Sequence, residues 1–271
     1  MPSPSELNVE GKVFVAVGAG RGIGRGIVEV LTEAGAEGAA VALTPAYVEP
    51  MAKRVHERTG RRVIGLVADA TDGQAMADVV ARVLGEFGRI DIWINCTGDS
   101  IRAPLFPLPP DAAAPVLADA YYRHVLDVNL TTAVAGCRAI GPYFVTQRHG
   151  RVINISGLFV GKSGGPLAAN SLGLEIYTAA KAGVEALTRN LAVAWGPYGV
   201  TVNCIRAGGF PDPEQLSEER LAGGREWASH AVPLGRMGEL REVGLLVLYL
   251  AADAGAYLTG QVIDLDGGVT L

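Results

Sequence analysis

Val13-Phe14-Val15-Ala16-Val17-Gly18-Ala19-Gly20-Arg21-Gly22-Ile23-Gly24-Arg25-Gly26 is the stretch on which the fold turns. A run of small and β-branched apolar residues stops at Gly18, and apolar residues return at Ile23, Ile27, Val30 and Leu31. That pattern is a buried strand turning sharply into an amphipathic helix. Glycines at 18, 20, 22 and 24 permit backbone conformations barred to other residues and let a ligand come close. The new helix offers unpaired N–H groups to an anion, so the turn is where a phosphate would sit. The spacing is G-x-x-x-G-x-G at Gly18, Gly22 and Gly24; Ile23 stands where the strict dinucleotide pattern G-x-G-x-x-G would need its last glycine. No Lys-Ser or Lys-Thr follows, which excludes a mononucleotide P-loop.

Outward from this turn, strands are predicted at 39–43, 63–67, 91–95, 151–155, 200–205 and 262–265. Between them fall predicted helices at 45–59 with proline in the first turn, 72–87 with Asp72 as cap and Gly88 as stop, 119–147, 175–195 and 240–252. Strands alternating with helices at this spacing imply an α/β fold: a doubly wound parallel sheet of Rossmann type with helices on both faces. Irregular stretches at 99–117, 158–173 and 210–227 should gather beyond the carboxyl ends of the strands, where open α/β sheets bind ligands. The segment 207–227 reads as polar and mobile. Alternation resumes after each irregular stretch without a shift in composition, so residues 1–271 are expected to form one domain.

The 271 residues carry a net charge of −5 with no Lys/Arg run, which argues against nucleic acid as the main partner. At 49% hydrophobic and 19% charged, the chain can bury a large core and is not of the disordered class. Cys96, Cys137 and Cys204 are scattered without metal-ligand or disulfide spacing, so no metal site and a reduced compartment are expected. Apolar runs fall far short of the roughly 20 residues that span a bilayer, and the N-terminus has no export pattern. The expectation is a cytoplasmic protein with no membrane partner.

Tyr177 and Lys181 lie four apart in Tyr-Thr-Ala-Ala-Lys on a helix, so both side chains face the same way. A tyrosine hydroxyl with its ordinary pKa of about 10 is a poor acid–base group at neutral pH. A fixed ammonium beside it favours the phenolate and is expected to lower that value. The tyrosine could then give a proton to a carbonyl oxygen as hydride reaches the carbon, or take it back in reverse.

With these residues in place, the sequence resembles the short-chain dehydrogenase/reductase family over nearly its whole length. The family's glycine turn is similar to Val17-Gly18-Ala19-Gly20-Arg21-Gly22-Ile23-Gly24, with Val17 for the usual threonine. Its Asn-Asn-Ala-Gly segment resembles Asn95-Cys96-Thr97-Gly98, and Asn129 in Asp127-Val128-Asn129-Leu130 matches the asparagine that family members use in a proton relay. Tyr177 and Lys181 match the catalytic tyrosine and lysine. Pro233-Leu234-Gly235-Arg236, Leu258-Thr259-Gly260-Gln261 and Asp266-Gly267-Gly268 match the C-terminal pattern. The resemblance implies Tyr177, Lys181 and Asn129 as catalytic residues. It also implies a cofactor site of Gly18, Gly20, Arg21, Gly22, Ile23, Gly24, Thr44, Asp69, Ala70, Asn95, Cys96, Gly98, Ile155, Tyr177, Lys181, Gly208 and Phe210.

Two departures bear on function. The family serine that donates to the substrate oxygen falls at Gly157 in Asn154-Ile155-Ser156-Gly157. Ser156 could serve through a local twist, Ser163 or Ser171 in the following insertion could replace the donor, or no donor is present. Losing one outright costs about 10²- to 10³-fold in rate. The Pro-Gly segment after the sixth strand is Ala207-Gly208-Gly209-Phe210, and the threonine that often follows is missing.

An acid at the end of the second strand would select NAD through the ribose 2′-hydroxyl. Here that end reads Ala42-Leu43-Thr44-Pro45, and Arg21 offers a guanidinium to the extra phosphate of NADP, so NADPH is the expected cofactor. Leu105, Phe106, Leu158, Phe159, Leu167, Phe210 and Trp227 would suit a bulky, apolar or polyketide-like ketone, though exposed loops often fold such residues onto themselves. His124 and His149 read as helix-surface residues. The expected activity is NADPH-dependent ketone reduction; the alternatives are an NAD-dependent secondary-alcohol dehydrogenase and a non-catalytic NADP-binding scaffold. The resemblance further implies a homotetramer or dimer built by pairing the helices at 119–147 and 175–195.

Overall fold

Strand β1 (Val13–Val17) sends Phe14 and Ala16 into one apolar layer and Val13, Val15 and Val17 into another, the two-residue period of a strand buried on both faces. This is seen in a computed structural model that describes residues 5–100, 102, 105, 118–160 and 173–271. Helix α1 (Gly22–Glu33) follows, then β2 (Glu37–Ala42), α2 (Pro45–Thr59), β3 (Val63–Val67), α3 (Gly73–Phe87) and β4 (Ile92–Asn95). The second half holds α4 (Asp119–Leu126), α5 (Thr132–Gln147), β5 (Gly150–Gly157), α6 (Glu175–Trp195), β6 (Val200–Ala207), α7 (Glu218–Ala231), α8 (Leu240–Ala251) and β7 (Val262–Leu265).

The strands form one sheet in the order β3-β2-β1-β4-β5-β6-β7, with every neighbouring pair parallel. One face is covered by Ile27 and Leu31 of α1, Met51 and Val55 of α2 and Val247 of α8; the other by Met76 and Val83 of α3 and Ile140 and Phe144 of α5. The expected doubly wound α/β architecture is therefore present. The strand order reverses between β1 and β4, and such a switch point opens a crevice at the carboxyl ends of the strands.

Local signals set the element ends. Asp72 accepts a hydrogen bond from Gln74 N, and Gly88 closes α3 in the left-handed conformation at φ 76°. β5 and β6 each run two residues beyond the expected end, because Ser156 pairs with Arg206 and Gly157 with Ala207 in the ladder. The segment 207–227 is not irregular throughout. α7 begins at Glu218 behind a Ser217 cap, and only Ala228 of its residues is fully buried, so its periodicity is faint in the sequence. The expected helix at 119–147 carries a π turn over Asp127–Thr131, a distortion frequent at functional sites. Among the described residues no helix is long and apolar enough to cross a membrane.

Candidate active site

The glycine turn, the start of α2, the loop after β4 and the ends of β5 and β6 enclose a cavity of about 650 Å³. Gly18 turns the chain at φ 83°, and a Cβ there would lie 2.7 Å from Thr97 N, so only glycine lets the two loops touch. The first N–H of α1, on Gly22, donates to Asp212 Oδ2 at 2.7 Å, and Arg25 Nη2 donates to Asp212 Oδ1 at 2.7 Å. The next two N–H groups, on Ile23 and Gly24, belong to the helix end that lacks intrahelical acceptors, and both residues border the cavity. They lie at the helix end where the sequence pattern expects an anion.

Tyr177 and Lys181, one turn apart on α6, both border the cavity. Lys181 is buried, and its ammonium donates to Thr97 O at 3.0 Å and Ile155 O at 3.2 Å. Two of its three protons are thereby committed to carbonyls. Burial pushes the Lys181 ammonium down to about 8. It also pushes the Tyr177 hydroxyl up to about 12, with the Asp99 carboxylate adding to the rise. The expected lowering of the tyrosine by the lysine is therefore reversed: burial, and after it the Asp99 carboxylate, disfavour the phenolate.

Ser156, one of the substitutes considered for the missing donor, borders the cavity, but its hydroxyl is already committed. Its hydroxyl donates to Glu185 Oε1 at 2.9 Å, and Glu185 is held from its other side by Arg206, with Nε at 2.9 Å and Nη2 at 2.8 Å. Side chains alternate along β5, so Ser156 reaches Glu185 of α6 while the side-chain direction at Gly157 points at Tyr177 of the same helix. A Cβ on Gly157 would overlap Tyr177 Oη and lie 3.0 Å from Cζ. The tyrosine hydroxyl thus occupies the room a serine would need. Ser163 and Ser171 lie outside the described residues.

Asn129, inside the π turn, accepts from Asp99 N at 3.1 Å and donates to Asp99 O and Val125 O at 2.9 Å each. Its amide anchors the loop after β4; the residue does not itself border the cavity, whereas its neighbours Val128 and Thr132 do. Asn95, expected at the cofactor, also stands behind the wall. Its amide donates to Asn154 Oδ1 at 2.8 Å and accepts from Trp93 Nε1 at 2.8 Å, a buried polar tie between β4 and β5. Gly18, Gly20, Arg21, Gly22, Ile23, Gly24, Thr44, Asp69, Ala70, Cys96, Gly98, Ile155, Gly208 and Phe210 all border the cavity. Asp69 Oδ1 accepts from Thr71 N and Oγ1 at 2.9 and 2.7 Å, which fixes the carboxylate at the rim. Burial pushes the Cys96 thiol up to about 12, which keeps it protonated at neutral pH.

Sequence reasoning missed Leu43, Tyr47, Asp99, Ser100 and Thr132, and it placed His124 on a helix surface, where it is exposed yet also borders the cavity. His149 instead lies 4.0 Å from Asp91, away from the site. The apolar loop residues are only partly at the cavity. Leu158, Phe159 and Trp227 pack with Ala228, Val232 and Val269 into a cluster of their own. Phe106 and Leu167 lie outside the described residues, and Leu105 is exposed.

A dinucleotide fits what is present. The cavity has the volume of a cofactor site, free N–H groups at a helix end, and on its wall Thr97 Oγ1, which is buried without a hydrogen-bond partner. Among the described residues no group of three or more His, Cys, Asp or Glu side chains could hold a metal.

A family model described as enoyl-(acyl carrier protein) reductase matches residues 18–270. Short-chain reductase protein NovJ of Streptomyces niveus is 33% identical, with 99% of each chain covered. The 3-oxoacyl-[acyl-carrier-protein] reductase FabG of Thermotoga maritima is 31% identical over 98% of this chain and 100% of its own. Among solved structures, the NADPH-dependent 3-quinuclidinone reductase of Rhodotorula rubra superposes with a TM-score of 0.82 at 26% identity, covering 99% of this chain and 96% of that one.

Proposed function

The chain belongs to the short-chain dehydrogenase/reductase family, oxidoreductases of carbonyl and alcohol groups, and we propose that it reduces a ketone to a secondary alcohol with NADPH. The observation that carries this reading is the pairing of Tyr177 and Lys181 on one wall of the cavity with the open end of α1 on another. NADPH is favoured because the β2 end offers Leu43 and Thr44 with no acid, while Arg21 at the same rim has no carboxylate partner among the described residues.

A bound nicotinamide dinucleotide supplies the hydride that reaches the carbonyl carbon. Tyr177, held protonated by burial and by Asp99, gives its hydroxyl proton to the carbonyl oxygen. Lys181, positively charged below about pH 8, stabilises the phenolate left behind. Asn129 keeps Asp99 and the loop after β4 in register with both. With Gly157 in the serine position, Tyr177 meets the oxygen without that partner. The substrate is an apolar ketone that contacts Phe210 on the cavity wall. Residues 1–271 act as one domain, in a reduced, cytoplasmic setting that suits three free cysteines. They assemble as a dimer or tetramer through the long helices, where Val134 and Val193 are exposed.

The test follows NADPH absorbance with purified protein and a panel of aliphatic ketones, aromatic diketones, quinones and decalones. Consumption is expected to vanish in Tyr177→Phe while NADPH affinity changes less than about twofold, since the hydroxyl acts on the substrate oxygen. NADPH binding with no turnover on any ketone would support a non-catalytic scaffold instead.

A further inference from the structure

Arg21 is exposed on the glycine turn and has no ion pair among the described residues, although Arg25, Arg54, Arg58, Arg61 and Arg62 nearby each have one. What it has is an aromatic ring: its Cζ stands 5.4 Å from the centroid of Tyr47. That is cation–π range, and a guanidinium held against a ring face keeps its N–H edge available to an anion.

Tyr47 is exposed, but its backbone and Cβ are anchored. Its backbone N–H donates to Thr44 O at 3.2 Å in the first turn of α2. Its Cβ packs so closely on the glycine turn that a Cβ at Gly20 would lie 2.8 Å away. Gly20 thereby makes room for the tyrosine as well as for a ligand. Arg21, Leu43, Thr44 and Tyr47 all border the same end of the cavity, at the carboxyl end of β2, where a dinucleotide's adenosine ribose is read.

We propose that Tyr47 is a positioning residue for cofactor selection: it holds Arg21 in place for the ribose 2′-phosphate and so sets the preference for NADPH over NADH. This rests on the reading of Arg21 as the phosphate ligand given above. An exposed arginine gives up side-chain freedom when it grips a phosphate. Ordering it beforehand removes that cost from binding. A cation–π contact at an exposed site corresponds to about a two- to fivefold effect on affinity. The effect falls only on the ligand that Arg21 grips, so it appears as selectivity.

Dissociation constants for NADPH and NADH, read from fluorescence of the full-length protein, test this without turnover. Tyr47→Leu keeps apolar bulk on Gly20 but has no ring face. It is expected to weaken NADPH about two- to fivefold and leave NADH unchanged. Tyr47→Phe should keep the wild-type ratio. In an Arg21→Ala background Tyr47→Leu should leave the ratio where Arg21→Ala put it, the signature of two residues acting as one. Equal weakening of both cofactors would make Tyr47 an adenine-side wall and overturn the proposal, as would a wild-type ratio in Tyr47→Leu. If Arg21→Ala alone leaves the ratio of the wild type, the NADPH reading is what fails.

Discussion

Gly157→Ser puts back the hydroxyl that the family keeps at this position, and the expected result is a slower enzyme. A Cβ there overlaps Tyr177 Oη and lies 3.0 Å from Cζ and 3.1 Å from Cε1. Carbon contacts settle at about 3.5–4 Å, so the tyrosine ring must withdraw by about 1 Å at its hydroxyl. The opposite wall of the strand is closed, since Ser156 and Glu185 are both buried behind it. A displacement of about 1 Å can cost on the order of 100-fold in rate. A new donor could return part of this, but only for an oxygen that the displaced tyrosine still reaches. We expect kcat to fall about tenfold in Gly157→Ser and about 100-fold in Gly157→Ala, which adds the Cβ without the hydroxyl, with NADPH affinity unchanged in both. The assay is steady-state reduction of any ketone accepted by the wild type, with cofactor binding measured separately. Wild-type kcat in Gly157→Ala would show that Tyr177 tolerates the added carbon and would refute the steric argument; a faster Gly157→Ser would refute the conclusion that the site works without that donor.

Ser156→Ala is expected to leave kcat within about threefold of wild type while lowering stability by about 1–2 kcal/mol, because it deletes a buried bond to a carboxylate and touches no reacting atom. Urea unfolding and turnover measured side by side separate the two; a 100-fold loss of kcat at unchanged stability would return Ser156 to the chemistry. Lys181, held at about 8 against 10.5 for the free side chain, binds fewer protons folded than unfolded between those values, so stability rises with pH across that window. Tyr177, held at about 12 against 10, opposes this only above about pH 10. Without cofactor, the wild type should gain on the order of 2 kcal/mol relative to Lys181→Met from about pH 8 to about pH 10. A stability difference independent of pH would mean that the ammonium is not buried as described.

The sheet was readable from the chain because local signals carry it. Strands such as Val63–Val67 are short apolar runs between turn residues, and α2 and α3 announce their ends with Pro45, Gly60, Asp72 and Gly88. The pair Tyr177 and Lys181 was equally plain, since helix spacing alone puts them on one face. What could not be read was anything decided by burial or by distance along the chain. Tyr47 in a helix looks like any aromatic residue until Gly20 is seen against it. The direction of the shift at Tyr177 is set by its burial and by Asp99, neither of which the helix spacing reveals. Asn95 looks like a ligand residue and is a tie between strands, because Asn154 and Trp93 reach it from β5 and from its own strand.

Asp212 joins the two ends of the molecule's history. The first N–H of α1 finds its acceptor 190 residues downstream, in the segment that follows β6, and Arg25 from the same helix turn closes the ion pair. A chain emerging from the ribosome makes the glycines of the cradle early and the carboxylate that caps them near the end. Until that segment is made, the first turn of α1 lacks this acceptor and Arg25 lacks this carboxylate.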